Sequence, residues 1–151
     1  MKALAAAALL AFTTPAAACD LPANAARLLA DAGAAMNAER TAGGRKALNR
    51  DARLDKAAQG HACWMAETNT FSHKGANGSL PKRRITATGY RPKLTAENIA
   101  FGQASGERVI AEWMASSGHR DNILRRGVDE YGVGVALMQG RPVWVMVYAD
   151  K

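Results

Sequence analysis

Glu112-Trp113-Met114-Ala115-Ser116-Ser117-Gly118-His119-Arg120-Asp121-Asn122-Ile123-Leu124 is the most informative stretch of this chain. A carboxylate, a large aromatic ring, two hydroxyls, a glycine and a histidine fall within four turns of helical spacing. The apolar residues recur as on a helix that packs one face against a core. Ser105 supplies an N-cap for a helix running through Val109, Ile110, Trp113 and Met114, and Gly118 supplies its stop. On such a helix Glu112 and Ser116 share a face. A break at Gly118 lets His119 turn back over the helix end.

The rest of the chain is read outward from this helix. Residues from about Ala23 to Arg40 read as a helix, ended by Thr41-Ala42-Gly43-Gly44. Leu48-Asn49-Arg50-Asp51 lead into a second helix, with Leu54, Ala57, Ala58, His61, Ala62, Met65 and Ala66 along one face. Phe71-Ser72-His73 follow it directly. A short helix is expected over Leu80 to Thr88, capped by Ser79 and opened by Pro81. Tyr131 to Met138 and Val143 to Tyr148 alternate like strands around the turn Gln139-Gly140-Arg141-Pro142. Helices followed by a terminal hairpin make an α+β order, not repeating βαβ units.

At 151 residues, one domain is expected. Residues 1–18 read as a secretory signal peptide. Lys2 is followed by an alanine- and leucine-rich run, then by Thr13-Thr14-Pro15 and Ala16-Ala17-Ala18. The run is too short to span a bilayer, and the mature chain shows no transmembrane segment. Residues 19–151 are then the folded domain, exported to the periplasm or beyond. Cleavage exposes Cys19. One reading pairs it with Cys63 in a disulfide that ties the N-terminal arm to the second helix. The other is a lipid anchor, although the leucine usual three residues before such a cysteine is absent.

The net charge is +7, and it falls to +6 once Lys2 is removed. Lys82-Arg83-Arg84 and Arg125-Arg126 are short basic runs that read as solvated faces. Without interleaved aromatics they do not make a nucleic-acid platform. A basic exported domain adheres to anionic envelope polymer or lipid.

The chain has three histidines, and two sit in distinctive contexts: His73 in Phe71-Ser72-His73-Lys74-Gly75 and His119. Glu97 lies between them in Thr95-Ala96-Glu97-Asn98-Ile99-Ala100. Facing imidazoles beside a carboxylate can hold a divalent metal, work as acid and base, or fix loops by hydrogen bonding. No His-Glu-x-x-His pair is present, so spacing alone does not define a metal site. The plainer readings stand beside these. Glu97 can cap amides near a strand start, and Glu112 can be an ordinary exposed helix residue. Ser116 has no acid–base relay to make it a nucleophile. Asn122 can satisfy loop backbone groups. Trp113, Trp144 and Tyr148 read as core. His61 reads as structural, and Trp64 as packing over a disulfide.

Taken together, Phe71-Ser72-His73, Ala96-Glu97-Asn98-Ile99-Ala100, Trp113-Met114-x-Ser116-x-Gly118-His119-Arg120-x-Asn122-Ile123-Leu124 and Gly132-Val133-Gly134-Val135 resemble the CAP superfamily. This is the group of cysteine-rich secretory proteins, antigen 5 and plant pathogenesis-related proteins, also called SCP-like; the match is to its bacterial secreted branch. The resemblance covers about Ala30 to Tyr148. It implies a three-layer α-β-α sandwich with a central antiparallel sheet and a cleft lined by two histidines and two glutamates. His73, Glu97 and His119 match three of the four. Ser116 stands where the second glutamate is expected, and Glu112 begins roughly 6 Å away on the same helical face. The resulting expectation is a cleft of His73, Glu97, Glu112, Ser116, His119 and Asn122 in a monomer. It would bind a lipid, sterol or peptide, with zinc, calcium or magnesium as an optional ion on His73, His119 and Glu97, and no cofactor required. A metal- or calcium-dependent peptidase using His73, Glu97 and His119 is the alternative.

Overall fold

Alternation along the last strand sets the architecture. In β4 (Arg141–Ala149), Trp144, Met146 and Tyr148 pack with one group of helices, while Val143, Val145, Val147 and Ala149 pack with another. Successive side chains in a strand point to opposite faces, so a strand buried throughout must have a layer on each side. The computed structural model describes residues 19–151. The expected signal peptide, residues 1–18, lies outside the described residues.

The elements are α1 (Ala25–Ala42), β1 (Asn49–Arg50), α2 (Ala52–Thr68), α3 (Pro81–Ala87), β2 (Thr95–Phe101), α4 (Gly106–Ala115), α5 (Ser117–Ile123), β3 (Glu130–Met138) and β4. The strands form one sheet in the order β1-β3-β4-β2. β4 runs antiparallel to both β3 and β2, and β1 adds a two-residue parallel pairing on β3. Helices α1, α4 and α5 contribute to the core on one face; α2 and α3 contribute to the core on the other. This is the expected α-β-α sandwich, with a sheet made mixed by its short first strand.

Two glycines let α2 lie close on the sheet. A Cβ on Gly132 would sit 2.1 Å from the Leu54 carbonyl carbon, and one on Gly134 would sit 2.5 Å from Gln59 Cα. The same approach brings α2 side chains to β3, whose outer edge β1 covers for only two residues. Val133 N–H donates to Asp55 Oδ1 at 3.0 Å, and Val135 N–H donates to Gln59 Oε1 at 3.1 Å. Gln59 Nε2 returns a bond to the Val135 carbonyl at 2.8 Å. Three of the backbone groups left by the short strand are thereby satisfied, and the Leu137 N–H donates to the Asp20 carbonyl at 2.7 Å.

Two local expectations are revised, and the segment around Glu97 is filled in. Ser79 does not cap α3: Leu80 is the cap residue with no side-chain bond, while Pro81 opens the first turn as expected. The segment around Glu97 is a full seven-residue strand. Ser105 caps α4 by accepting from Arg108 N–H at 3.3 Å, but the helix ends before Gly118. Ser116 is extended at φ −100°, ψ 124°, and a new helix starts at Ser117 with Gly118 in its first turn. Glu112 and Ser116 therefore share no helical face.

Candidate functional site

β2 is the free edge of the sheet beside β4, and its open side is plugged by side chains from α4 and α5. Trp113 Nε1–H donates to the Ile99 carbonyl at 3.1 Å. Asn122 Nδ2 donates to the Glu97 carbonyl at 3.2 Å and to Asn98 Oδ1 at 2.9 Å. Asn98, fully buried, donates in turn to the His119 carbonyl at 3.0 Å. Trp113 is thus core, as expected, with a strand-capping role as well. Asn122 serves strand carbonyls, where the sequence suggested a loop. The far end of α5 is held from α1: the buried Arg40 guanidinium donates to the Ile123 carbonyl at 2.6 Å and to the Arg125 carbonyl at 3.1 Å. These bonds answer helix-terminal carbonyls that have no partner within the helix. They fix the helix that carries His119.

Glu97 lies in the middle of this edge strand, with a side chain only 1% exposed. His73 Nδ1–H donates to its Oε1 at 2.8 Å, and the Arg84 guanidinium pairs with Oε2. A carboxylate only accepts, so a proton sits on Nδ1 and Nε2 is the ring nitrogen left free of Glu97. Arg84 also donates to the carbonyls of His73, at 3.0 Å, and Ser79. The guanidinium therefore clamps the loop that carries the imidazole. His61 clamps the other end of that loop: it is buried, Nε2 bonds the Ser72 carbonyl at 2.8 Å, and its ring stacks on Trp64 at 5.6 Å. Glu97 does not cap backbone amides; it organises two side chains.

His73 and His119 lie near enough for the charge of one to act on the other. Burial holds the His119 pKa below the ordinary value, and the charge of His73 lowers it further, while Glu112 pulls weakly the other way. His119 is thus kept as a neutral ring, tilted over Trp113 with centroids 6.3 Å apart. Glu112 is exposed and accepts from Gln103 Nε2 at 2.7 Å. Ser116 is exposed at the break between α4 and α5.

The metal expectation is tested by the donor set. One Glu97 oxygen is taken by His73, and a cation sits on the other. Among the described residues no group of three or more His, Cys, Asp or Glu side chains is arranged to hold a metal ion. Two imidazoles remain, fewer than the three protein ligands of an ordinary zinc site. The residues do not form a self-sufficient metal centre.

A model of the cysteine-rich secretory protein family, CAP, matches residues 34–148. The chain belongs to the CAP family. Among curated proteins, relatives in Bacillus subtilis (strain 168) include the protein YkwD, 35% identical over 115 residues, and the membrane protein YlbC, 32% identical over 80 residues. The matches cover 76% and 53% of this chain but only 44% and 23% of those proteins, so the chain spans less than half the length of the curated relatives it matches. Among solved CAP-like structures, an extracellular SCP-domain protein of Bacillus anthracis superposes with a TM-score of 0.78 at 24% identity. That match covers 84% of this chain and 41% of that one. An outer surface protein of Borrelia burgdorferi gives 0.73 at 22% identity, covering 79% and 89%. Both likenesses concern the fold.

Cys19 and Cys63 form a disulfide with Cα atoms 5.3 Å apart, joining the N-terminal arm to α2. Sequence reasoning missed Arg84 and Asn98 as site residues. Arg84 was read within a solvated basic run, yet its side chain is 12% exposed. The signal for it was the single buried-strand carboxylate, Glu97, which needed a cation. No helix among the described residues is long and apolar enough to cross a membrane.

Proposed function

We propose that this CAP protein is an exported, non-enzymatic binding module whose cleft, between His73 and His119, takes a small ligand. The observation that carries this reading is the commitment of both Glu97 oxygens. With His73 on one and Arg84 on the other, each carboxylate oxygen already has a partner, and the group orients an imidazole. What remains for a ligand is a pair of imidazole nitrogens backed by a rigid strand edge. The disulfide and the extracellular or outer-surface location printed for two structural neighbours support export. A lipid or sterol, a peptide or an anionic envelope polymer fits this setting, and a divalent ion is an optional occupant that water or ligand atoms would have to complete.

The test is zinc titration calorimetry and fluorescent fatty-acid or sterol binding on the mature protein, beside the His73→Ala/His119→Ala double variant. Binding of either probe that disappears in a folded double variant supports the cleft. Binding that survives it sinks the reading. The alternative, a peptidase, rests on one observation: a carboxylate bonded to Nδ1 is the arrangement that would orient His73 as a base toward water. Cleavage of a peptide library, lost in His119→Ala, would replace the binding reading with that one.

A further inference from the structure

Arg40 carries a charge that the fold does not balance. The residue is 3% exposed, and it pairs with no carboxylate among the described residues. Its Nε donates to the Lys46 carbonyl at 2.9 Å, and Nη1 holds the Ile123 and Arg125 carbonyls. Nη2 makes no bond among the described residues. Nor is it sealed in. The fully enclosed side-chain atoms left without a partner there are His61 Nδ1 and Gln103 Oε1, and Arg40 Nη2 is not one of them. One N–H-bearing corner of a buried guanidinium therefore keeps an opening. Buried charges are ordinarily paired, so what this group lacks is an anion.

The opening is a pocket of about 300 Å³, where the loop after α1 meets the turn between α5 and β3. Arg40, Arg45, Lys46 and Arg126 line it, beside Asp129. None of these four cations makes an ion pair among the described residues. Asp129 does not balance them: it is one carboxylate against four cations, and its Oδ2 accepts from the Lys151 backbone N–H at 3.0 Å. Arg45 is held in place, with Nε donating to the Leu124 carbonyl at 2.9 Å. The two guanidiniums also feel each other. Burial lowers the Arg40 pKa, Tyr148 opposes that, and the charge of Arg45 adds to it.

We infer that this pocket binds a phosphate monoester, one oxygen on Arg40 Nη2 and the remaining charge met by Arg45, Lys46 and Arg126. The excess of cations calls for more than one negative charge, which a phosphate monoester carries and a carboxylate does not. The cations come from α1, from its following loop and from the turn before β3, so they border the space on more than one side. That suits a tetrahedral group with several acceptor oxygens. The volume lies at the lower end of small-ligand sites and admits a phosphate with a short substituent. The site is separate from the imidazole cleft and does not rest on the reading given to it.

The experiment is a ¹⁵N NMR titration of the mature protein with inorganic phosphate, glycerol 3-phosphate and acetate at constant ionic strength. The two phosphates should shift the Arg40 and Arg45 Nε–H signals with saturation, and acetate should bind about tenfold more weakly or less. Lys46→Gln/Arg126→Gln should weaken phosphate binding by about tenfold or more. Both side chains are exposed, so this variant is expected to fold, and its spectrum reports that directly. Lys82→Gln/Arg83→Gln removes the same charge from another exposed run and should leave binding unchanged, as should His73→Ala/His119→Ala. Once phosphate binding is seen, co-sedimentation with phosphatidic acid vesicles that Lys46→Gln/Arg126→Gln abolishes assigns the group to a lipid headgroup. Its absence assigns a soluble monoester. Acetate binding as tightly as phosphate overturns the proposal, and so does equal weakening by the Lys82/Arg83 variant, which would mark adsorption to net charge. An unmoved Arg40 signal at millimolar phosphate overturns it as well.

Discussion

Arg84 and Glu97 form an ion pair whose side chains are 12% and 1% exposed. Removing one partner from such a pair strands the other charge. Arg84→Ala should therefore cost roughly 3 kcal/mol in denaturant unfolding. It should also release the His73 loop, because the guanidinium holds the His73 and Ser79 carbonyls. Broadened amide signals over residues 72–79 would show that release. An Arg84→Ala variant as stable as the parent would show that Glu97 does not depend on its cation.

The close approach of α2 to β3 predicts opposite outcomes for neighbouring glycines. Gly132→Ala drives a methyl into the Leu54–Asp55 backbone, which cannot swing aside. Overpacking of this kind costs about 1–3 kcal/mol and more where backbone must move, so a loss at or above the upper end is expected. Gly60, inside α2, has nothing within 4 Å of a built Cβ. Gly60→Ala should stabilise the protein by roughly 0.5–1 kcal/mol through helix propensity. Guanidinium unfolding of both variants checks the pair.

The disulfide links positions 44 residues apart. Closing such a loop constrains the unfolded chain by about 4 kcal/mol in the chain-entropy model. Cys19→Ser/Cys63→Ser should lose stability of that order, and reduction of the parent should match it. Intact mass of the exported protein without reductant would show an oxidised pair two hydrogen atoms lighter than the reduced chain. An acyl-chain mass at Cys19 would contradict the bridge.

Acid should weaken the fold before its carboxylates titrate. Burial lowers the pKa values of His61 and His119 in the folded protein. Their unfolded pKa is about 6.5. Below that value the unfolded chain binds more protons than the native one, so stability is complete above it and falls as the pH drops toward the folded values. Each histidine contributes a slope of up to about 1.4 kcal/mol per pH unit across its window. Unfolding free energies measured from neutral to mildly acidic pH should fall, and His61→Gln should flatten the curve. A pH-independent parent would contradict the shifts.

Asn122→Ala should leave the Glu97 carbonyl and Asn98 Oδ1 without their donor. The expected cost is roughly 1–3 kcal/mol, together with weaker ligand binding in the cleft, since α5 would lose a tether near His119. Thermal unfolding and the binding assays above read both effects.

Much of this was legible before any coordinates. The alternation of β3 and β4, the α1 and α2 stripes and the Ser105 cap are local patterns with one physical solution. His73, Glu97 and His119 were picked out by their scarcity and context. Arg84 and Asn98 were not, because their roles depend on which strand is an edge, and edge position is a property of the assembled sheet. The α4–α5 break was misplaced at Gly118 for a related reason. Glycine is the usual stop, but here Ser116 takes the extended conformation and Gly118 continues into a helix whose far end is gripped by Arg40. A tertiary clamp outweighed the local signal.

The two rims of the sheet are closed by different means. One ends in a two-residue strand backed by Asp55 and Gln59, the other is stopped by Trp113 and Asn122. No long ladder of free backbone groups is left for a foreign strand to join. Among the described residues, the bonds on these two edges leave little room for another polypeptide to add as a fifth strand. The same closure guards against self-templating, so concentrated solutions of the folded chain should stay free of cross-β association.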